Sequence, residues 1–287
     1  FLSMAALPYM LLRNVDGASA LDCDAKDVLC RQRNYDQYVD SFQKVKDLAP
    51  GQPIPKVTNR ITYVVQLIID IGEERDGDSG YLRFGLYGDD CPGSVKQMLL
   101  FLTRGITSLD RTALADRLEV DTMPVSLGDG NGSVQNVCPG DGVDFGVPSQ
   151  SKAFAKSKGT RTAGPNFVPQ ARPLPTLETE PYPRKHEVAG LVSVPARGIG
   201  HGNESDLDEI FSAAFTITAG ATPALDDPKN LSKRHRVIGQ VIDNESMQFL
   251  DRLANLPVQK KLGKGGSSGP PLLKVRVRDV DVQRVKT

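Results

Sequence analysis

His186, His201 and His235 are the only histidines of this chain, and they are scattered, with no Glu-x-x-His pairing. Neither a catalytic metal nor a nucleophilic triad finds support in that spacing. The four cysteines form two groups, Cys23 with Cys30 and, far apart from one another, Cys91 and Cys138. No Cys-x-x-Cys pair exists, which excludes a zinc ribbon and a thioredoxin-like dithiol. Cys23 and Cys30 fall in a small polar segment with no core of its own, where a disulfide would order the chain, so they are the candidate disulfide. Asp129-Gly-Asn-Gly-Ser starts like a calcium loop, but Val134 stands where its central Gly is required and Gly140 where its terminal Glu is required. Gly263-Lys-Gly-Gly-Ser-Ser-Gly lacks the order of a phosphate loop and reads as a turn. Asn203-Glu-Ser is a glycosylation triplet only in a secreted context. No metal and no cofactor is expected, so any chemistry must be done by side chains that bind and polarise rather than by a covalent or redox centre.

The elements that would position such side chains are mostly strands. The 287 residues suffice for one large domain or a medium domain with extensions. Gly 27, Pro 20 and the absence of Trp describe many turns. Lys+Arg and Asp+Glu both total 35, and no basic run is interleaved with aromatics. Nucleic acid is therefore not an expected partner. The chain begins at Phe1, which reads as a processed or truncated product, and Phe1 to Leu12 is almost entirely apolar. That is shorter than the roughly 20 residues a membrane span needs. With Ala18-Ser19-Ala20 following, it reads either as the core of an export signal or as a hydrophobic strap, with membrane-surface contact or burial in a partner both open.

Tyr35, Tyr38, Val39, Phe42 and Val45 predict an amphipathic helix over about 33–48, outside the main domain, and Pro53 and Pro55 an extended linker. Ile61 to Ile71 predicts a strand with Tyr63, Val65, Leu67, Ile69 and Ile71 on one face, and Leu82, Phe84 and Leu86 its hairpin partner. Ser94 with Gln97 has the capping-box pattern, opening a helix with Val95, Met98, Leu99 and Leu102 that stops at Gly105. From Thr107 to Lys185 the periodicity fails and the stretch reads as long excursions. Strands return at Leu191 to Val194, Phe215 to Thr218 and Val237 to Ile242. A helix opens at Asn244 and Glu245 with Met247, Leu250 and Ala254 inward, and a last strand alternates Leu273, Val275 and Val277 with Lys274, Arg276 and Arg278.

The stretch Gly80-Tyr-Leu-Arg-Phe-Gly-Leu-Tyr-Gly-Asp-Asp-Cys-Pro-Gly-Ser-Val-Lys-Gln-Met resembles the early hairpin and first helix of cyclophilins. Gly190-Leu-Val-Ser-Val, Phe215-Thr-Ile-Thr, and Leu225-Asp226 followed by His235-Arg-Val-Ile-Gly-Gln-Val-Ile resemble later blocks of that family, in the family's order. The resemblance covers roughly residues 60 to 286. It implies a mainly β fold, a closed eight-stranded antiparallel barrel capped by two helices. Residues 1–55 would form an N-terminal extension, and residues 56–287 the barrel, with Gly/Pro-rich insertions at about 107–185. It also implies an external groove that twists prolyl bonds, whose uncatalysed barrier is about 18–20 kcal/mol. The groove's Arg hydrogen-bonds near the prolyl nitrogen, beside an apolar pocket.

The groove positions depart from the pattern. Aligned from Phe145, Ser133 falls where the family has its Arg and Asp141 where it has Gln; Pro195-Ala196-Arg197 replaces Ala-Asn-Ala, Thr216 replaces a Phe and Ala224 a Trp. Phe145, Leu225 and His235 remain, and Arg197 is the one candidate replacement cation. These residues form the expected groove, with catalysis vestigial, since losing one preorganised donor costs about 10²–10³ in rate. The expected role is a non-catalytic or weakly active interaction subunit of a larger membrane complex, contacted by residues 1–55 and the insertions. An active peptidyl-prolyl cis-trans isomerase is the alternative, and a proline-loop-binding chaperone the third. By analogy with lumenal relatives on photosynthetic complexes, the resemblance places it in the thylakoid lumen, with a secretory or endoplasmic reticulum lumen as the alternative.

Overall fold

The computed structural model describes residues 29, 30, 32, 33, 52–72, 78–106, 126–128, 132–147, 177, 179–199, 213–229, 234–259 and 268–285. The apolar N-terminus, Cys23, most of the expected 33–48 helix, His201, Asn203 and the Gly263 turn up to residue 267 lie outside them.

Eight strands close into a barrel: β1 (Tyr63–Ile71), β2 (Asp78–Leu86), β3 (Ser133–Cys138), β4 (Gly142–Gly146), β5 (Leu191–Pro195), β6 (Phe215–Thr218), β7 (His235–Val241) and β8 (Val275–Arg284). Their order around it is β1-β2-β7-β5-β6-β4-β3-β8, every pair antiparallel. Closure removes the free sheet edges that would otherwise invite aggregation. The alternating residues of β1, Val65, Leu67, Ile69 and Ile71, point inward with Leu82, Phe84 and Leu86 of β2, all fully buried. Phe145 of β4 stacks on Phe215 of β6 with centroids 4.9 Å apart, and Phe84 meets Phe215 at 6.4 Å. Each such side chain contributes about 1.5–3 kcal/mol by leaving water.

Helices α1 (Pro92–Thr103) and α2 (Asn244–Ala254) close the barrel's ends. They do so with Met98, Phe101 and Leu102, and with Met247, Leu250 and Leu253, all buried in the same core. At α2, Asp243 is a true cap, its carboxylate accepting from the Ser246 amide at 2.7 Å.

At α1 the capping-box expectation is overturned. The helix starts one turn of side chains earlier, with Cys91 at the N-cap, Pro92 at the first position and no side-chain cap from the helix itself. The Gln97 side chain turns away to bond both backbone groups of Ile199, at 3.0 and 2.9 Å. The cap comes from a distant segment: the Glu180 carboxylate accepts from the Gly93 amide at 2.6 Å, from the Ser94 amide at 3.1 Å and from the Ser94 hydroxyl. A carboxylate on exposed amides at a helix N-terminus is favourable both as hydrogen bonding and against the helix dipole.

The stretch read as excursions from Thr107 to Lys185 holds a barrel hairpin, β3 with β4, at its middle. The β3 register shifts between Val134 and Asn136. That bulge breaks the two-residue alternation that would have revealed the strand. The strand expected over Ile61 to Ile71 begins at Tyr63, and the last strand runs on to Arg284. The boundary expected at residue 55 falls inside a segment that packs on the barrel. Pro55 is buried, and its carbonyl accepts from the buried Gln240 side chain at 2.7 Å.

Candidate functional site

Outward positions of β3, β4, β6 and β5 form one polar row. The core residues Val143 and Phe145 flank Asp144, so its side chain faces out. Asp144 accepts from the Thr216 hydroxyl at 2.7 Å and from the Asn136 amide at 3.1 Å. Ser193 is paired in register with Thr216, and its hydroxyl lies 3.4 Å from Nδ1 of His235. At the other end of the row Ser133 pairs with Gly146. The row is therefore Ser133, Asn136, Asp144, Thr216, Ser193 and His235, brought together from five strands.

Desolvation works against the charged forms of its titratable groups. Burial pushes the Asp144 carboxyl above the usual range, with the Thr216 and Asn136 hydrogen bonds pulling the other way. Burial also lowers the His235 imidazole, to about 3, helped by the nearby His186. His186 is lowered by its own burial against the opposing pull of Asp226, whose carboxylate lies 2.7 Å from its Nδ1. Cys91, pushed up to about 12 by burial, and Cys138, raised for the same reason, are protonated free thiols and poor nucleophiles. Cys30 is disulfide-bonded.

Of the residues expected in the groove, Ser133, Thr216 and His235 lie in the row. Phe145 does not: it is fully buried in the barrel core, where it stacks on Phe215. Asp141 sits exposed in the β3–β4 turn, where its carbonyl accepts from the Ala219 amide at 2.8 Å and the Thr222 hydroxyl at 3.0 Å. Leu225 is half-buried on a one-turn helix at Pro223–Asp226. Ala196 is buried just past β5, its amide bonded to the Arg234 carbonyl, and Arg197 follows half-buried.

Sequence reasoning missed Asn136, Asp144 and Ser193. The alternation of Asp144 with Val143 and Phe145 was the available signal. It also missed the joint that holds Leu177 and residues 179–186. There the fully buried Arg236 donates to the carbonyls of Pro181 (3.0 Å), Leu177 (2.7 Å), Glu180 (3.1 Å) and Ala196 (3.3 Å) and to the Ser94 hydroxyl (3.1 Å). Its guanidinium also lies 3.7 Å from the Glu180 carboxylate. Tyr182 sits under Arg234 and Arg236, at 3.7 and 4.7 Å from ring centroid to guanidinium.

A cavity of about 860 Å³ between Arg60, Tyr63, Asp89 and Arg284 shares no residue with the row. It is open and lined partly by an exposed ion pair, Arg60 with Asp89 at 3.6 Å, so the convergent polar row is the better candidate. Among the described residues, no three His, Cys, Asp or Glu side chains are placed to hold a metal. No described helix is long and apolar enough to cross a membrane.

Residues 69–282 match the family model described as cyclophilin type peptidyl-prolyl cis-trans isomerase/CLD. The chain is similar to the crystal structure of the Mimivirus cyclophilin, at 17% identity and a TM-score of 0.43, over 80% of this chain and 93% of that one. No curated protein matches the chain.

Proposed function

We propose, from the premise that this chain belongs to the cyclophilin-type peptidyl-prolyl cis-trans isomerase family, that its barrel binds protein segments on the outer face and turns over prolyl bonds weakly or not at all. One observation carries the reading. Where the family has its cation and apolar pocket, this face has Ser133 and a Thr216 hydroxyl bonded to Asp144. A prolyl ring would meet polar groups already satisfied by one another, and no Lys or Arg lies on β3, β4, β5 or β6. Electrostatic preorganisation is commonly the largest catalytic contribution, and removal of one such donor costs about 10²–10³ in rate.

In this reading the chain is an interaction subunit of a larger membrane-associated assembly, reached through residues 1–55 and the insertions. It works in an oxidising lumen such as that of the thylakoid. The disulfide-bonded Cys30 is what supports that compartment.

The test is a prolyl-isomerase assay of the whole chain on a prolyl tetrapeptide, with Arg197→Ala alongside. The reading predicts no rate above the uncatalysed one in either protein. Turnover that Arg197→Ala abolishes would replace it with an active isomerase using Arg197 as its cation.

A further inference from the structure

The cavity of about 860 Å³ beside Arg60 lies apart from the polar row, and three segments of the fold are tied together around it through one residue. The Thr62 amide donates to the Leu86 carbonyl at 2.9 Å, its hydroxyl accepts from the Gly88 amide at 2.9 Å, and its carbonyl accepts from the Val285 amide at 2.9 Å. The entry to β1, the turn from β2 into α1 and the end of β8 are thereby held in one arrangement. Ile61, which lines the cavity, packs against the buried cluster of Tyr87, Leu191 and Val237. Tyr63 of β1 pairs in register with Arg284 of β8. Val280 and Val282 pack against the core, so the strand's two-residue period puts Arg284 on their face, beside Tyr63, which packs there too. Directly opposed residues on antiparallel strands hold their Cβ atoms about 4.5–5.5 Å apart. A guanidinium and a phenol ring therefore line the cavity side by side, with Arg60 and Asp89 lining it as well.

The charges of the lining do not cancel. Two guanidiniums, Arg60 and Arg284, meet a single lining carboxylate, Asp89. The ion pair of Arg60 with Asp89 is 3.6 Å long between two exposed side chains, a loose pairing worth little to either. The neighbouring Asp90 carboxylate is taken by the Asn59 amide at 2.9 Å, and among the described residues Arg284 has no hydrogen-bond or ion-pair partner. One planar guanidinium fork satisfies a carboxylate, so two of them suit an anion with more oxygens. A phosphate monoester supplies three acceptor oxygens and about −1.5 to −2 charge at pH 7. The volume falls within the roughly 300–1,000 Å³ of small-molecule sites. Tyr63, Ile61 and Val285 offer apolar surface to the rest of such a molecule. We propose that this cavity binds a small organic phosphate monoester, its phosphate between Arg60 and Arg284 and its organic body against Tyr63, Ile61 and Val285. Asp89 gives up Arg60 to the ligand and turns to solvent. The site is separate from the face that binds protein segments, and neither inference needs the other.

The experiment is a two-dimensional amide NMR titration of the full chain with phenyl phosphate, read at Thr62, Gly88 and Val285, with benzoate and inorganic phosphate titrated alongside. Phenyl phosphate is expected to shift these amides saturably and to bind more tightly than either comparison anion. Arg284→Gln should weaken binding about tenfold, the scale of one charge-assisted hydrogen bond. Arg284→Lys should recover part of the loss, because it keeps the charge but not the planar fork. Asp89→Asn should tighten binding severalfold by releasing Arg60. Arg278→Gln, on the same strand but paired with Asp70 at 3.4 Å and outside the cavity lining, should leave affinity unchanged. Where Arg284→Gln fails to fold, Asp89→Asn and Arg278→Gln decide. Unchanged affinity in folded Arg284→Gln overturns the site. So does an equal loss in Arg278→Gln, which would show only general attraction to a cationic strand. Benzoate binding as tightly as phenyl phosphate overturns the phosphate assignment, and no saturable shift at the three amides overturns the proposal outright.

Discussion

The joint around Arg236 and the row around Asp144 are both polar constructions set into an apolar barrel, and they are satisfied in opposite ways. At the joint a full charge is buried and every one of the five guanidinium donors has an acceptor, from Leu177, Glu180, Pro181, Ala196 and Ser94. In the row desolvation works against charge, raising the Asp144 carboxyl and lowering the His235 imidazole, and the Ser193 to His235 link is a long 3.4 Å. The fold commits fixed charge where a distant segment must be held against α1. Along the row, β3, β4, β5 and β6 carry no Lys or Arg, and the polar groups bond to one another.

The largest expected effect comes from breaking the first of these. Arg236→Ala removes the countercharge 3.7 Å from the Glu180 carboxylate and leaves buried carbonyls of segment residues Leu177, Glu180 and Pro181 without this donor, and should cost about 3–5 kcal/mol in urea unfolding. A loss below about 1 kcal/mol would mean that the joint is no more committed than the row.

A smaller effect sharpens the other side through pH. His235 has a folded value near 3 against about 6.5 in the unfolded chain. The unfolded protein therefore binds the extra proton, and the stability from a neutral His235 is fully present above about pH 6.5 and lost progressively toward pH 3. His186 shifts in the same direction. Thermal midpoints measured from pH 8 to 4 should fall on acidification, and His235→Gln should flatten that fall without abolishing it. An unchanged slope would show that the imidazole is solvated.

The smallest effect is at the rim of the open cavity. Arg60 and Asp89 are 59% and 58% exposed in their side chains, and Asp89→Asn should change stability by under about 0.5 kcal/mol. A larger change would mark the cavity, not the row, as the organised site.

How much of this could be read from sequence followed from whether the information was local. β1 and β2 were legible because Val65, Leu67, Ile69 and Ile71 alternate cleanly and pair with an equally regular partner. β3 was not, because the bulge between Val134 and Asn136 shifts the phase and its outward residues are polar like those of a loop. Ser94 and Gln97 matched a local motif, yet both side chains are taken by tertiary partners, Glu180 and Ile199. The joint was invisible for a related reason: Arg236 and Glu180 lie 56 residues apart, and nothing in either one's neighbourhood announces the other. In the row, a motif alignment drew attention to Ser133 and Thr216, both of which lie on this face. It also carried in Phe145, a core residue, because it fixes chain order and not which way a side chain faces.

The most direct test of a face that binds without turning over is a two-dimensional NMR exchange spectrum of a prolyl tetrapeptide in the presence of the whole chain. The account predicts peptide line broadening, shifts at Asn136, Asp144, Thr216 and Ser193, and no exchange cross-peaks between cis and trans forms beyond the uncatalysed rate. Cross-peaks that build up on the sub-second scale would contradict it and make the chain a working isomerase.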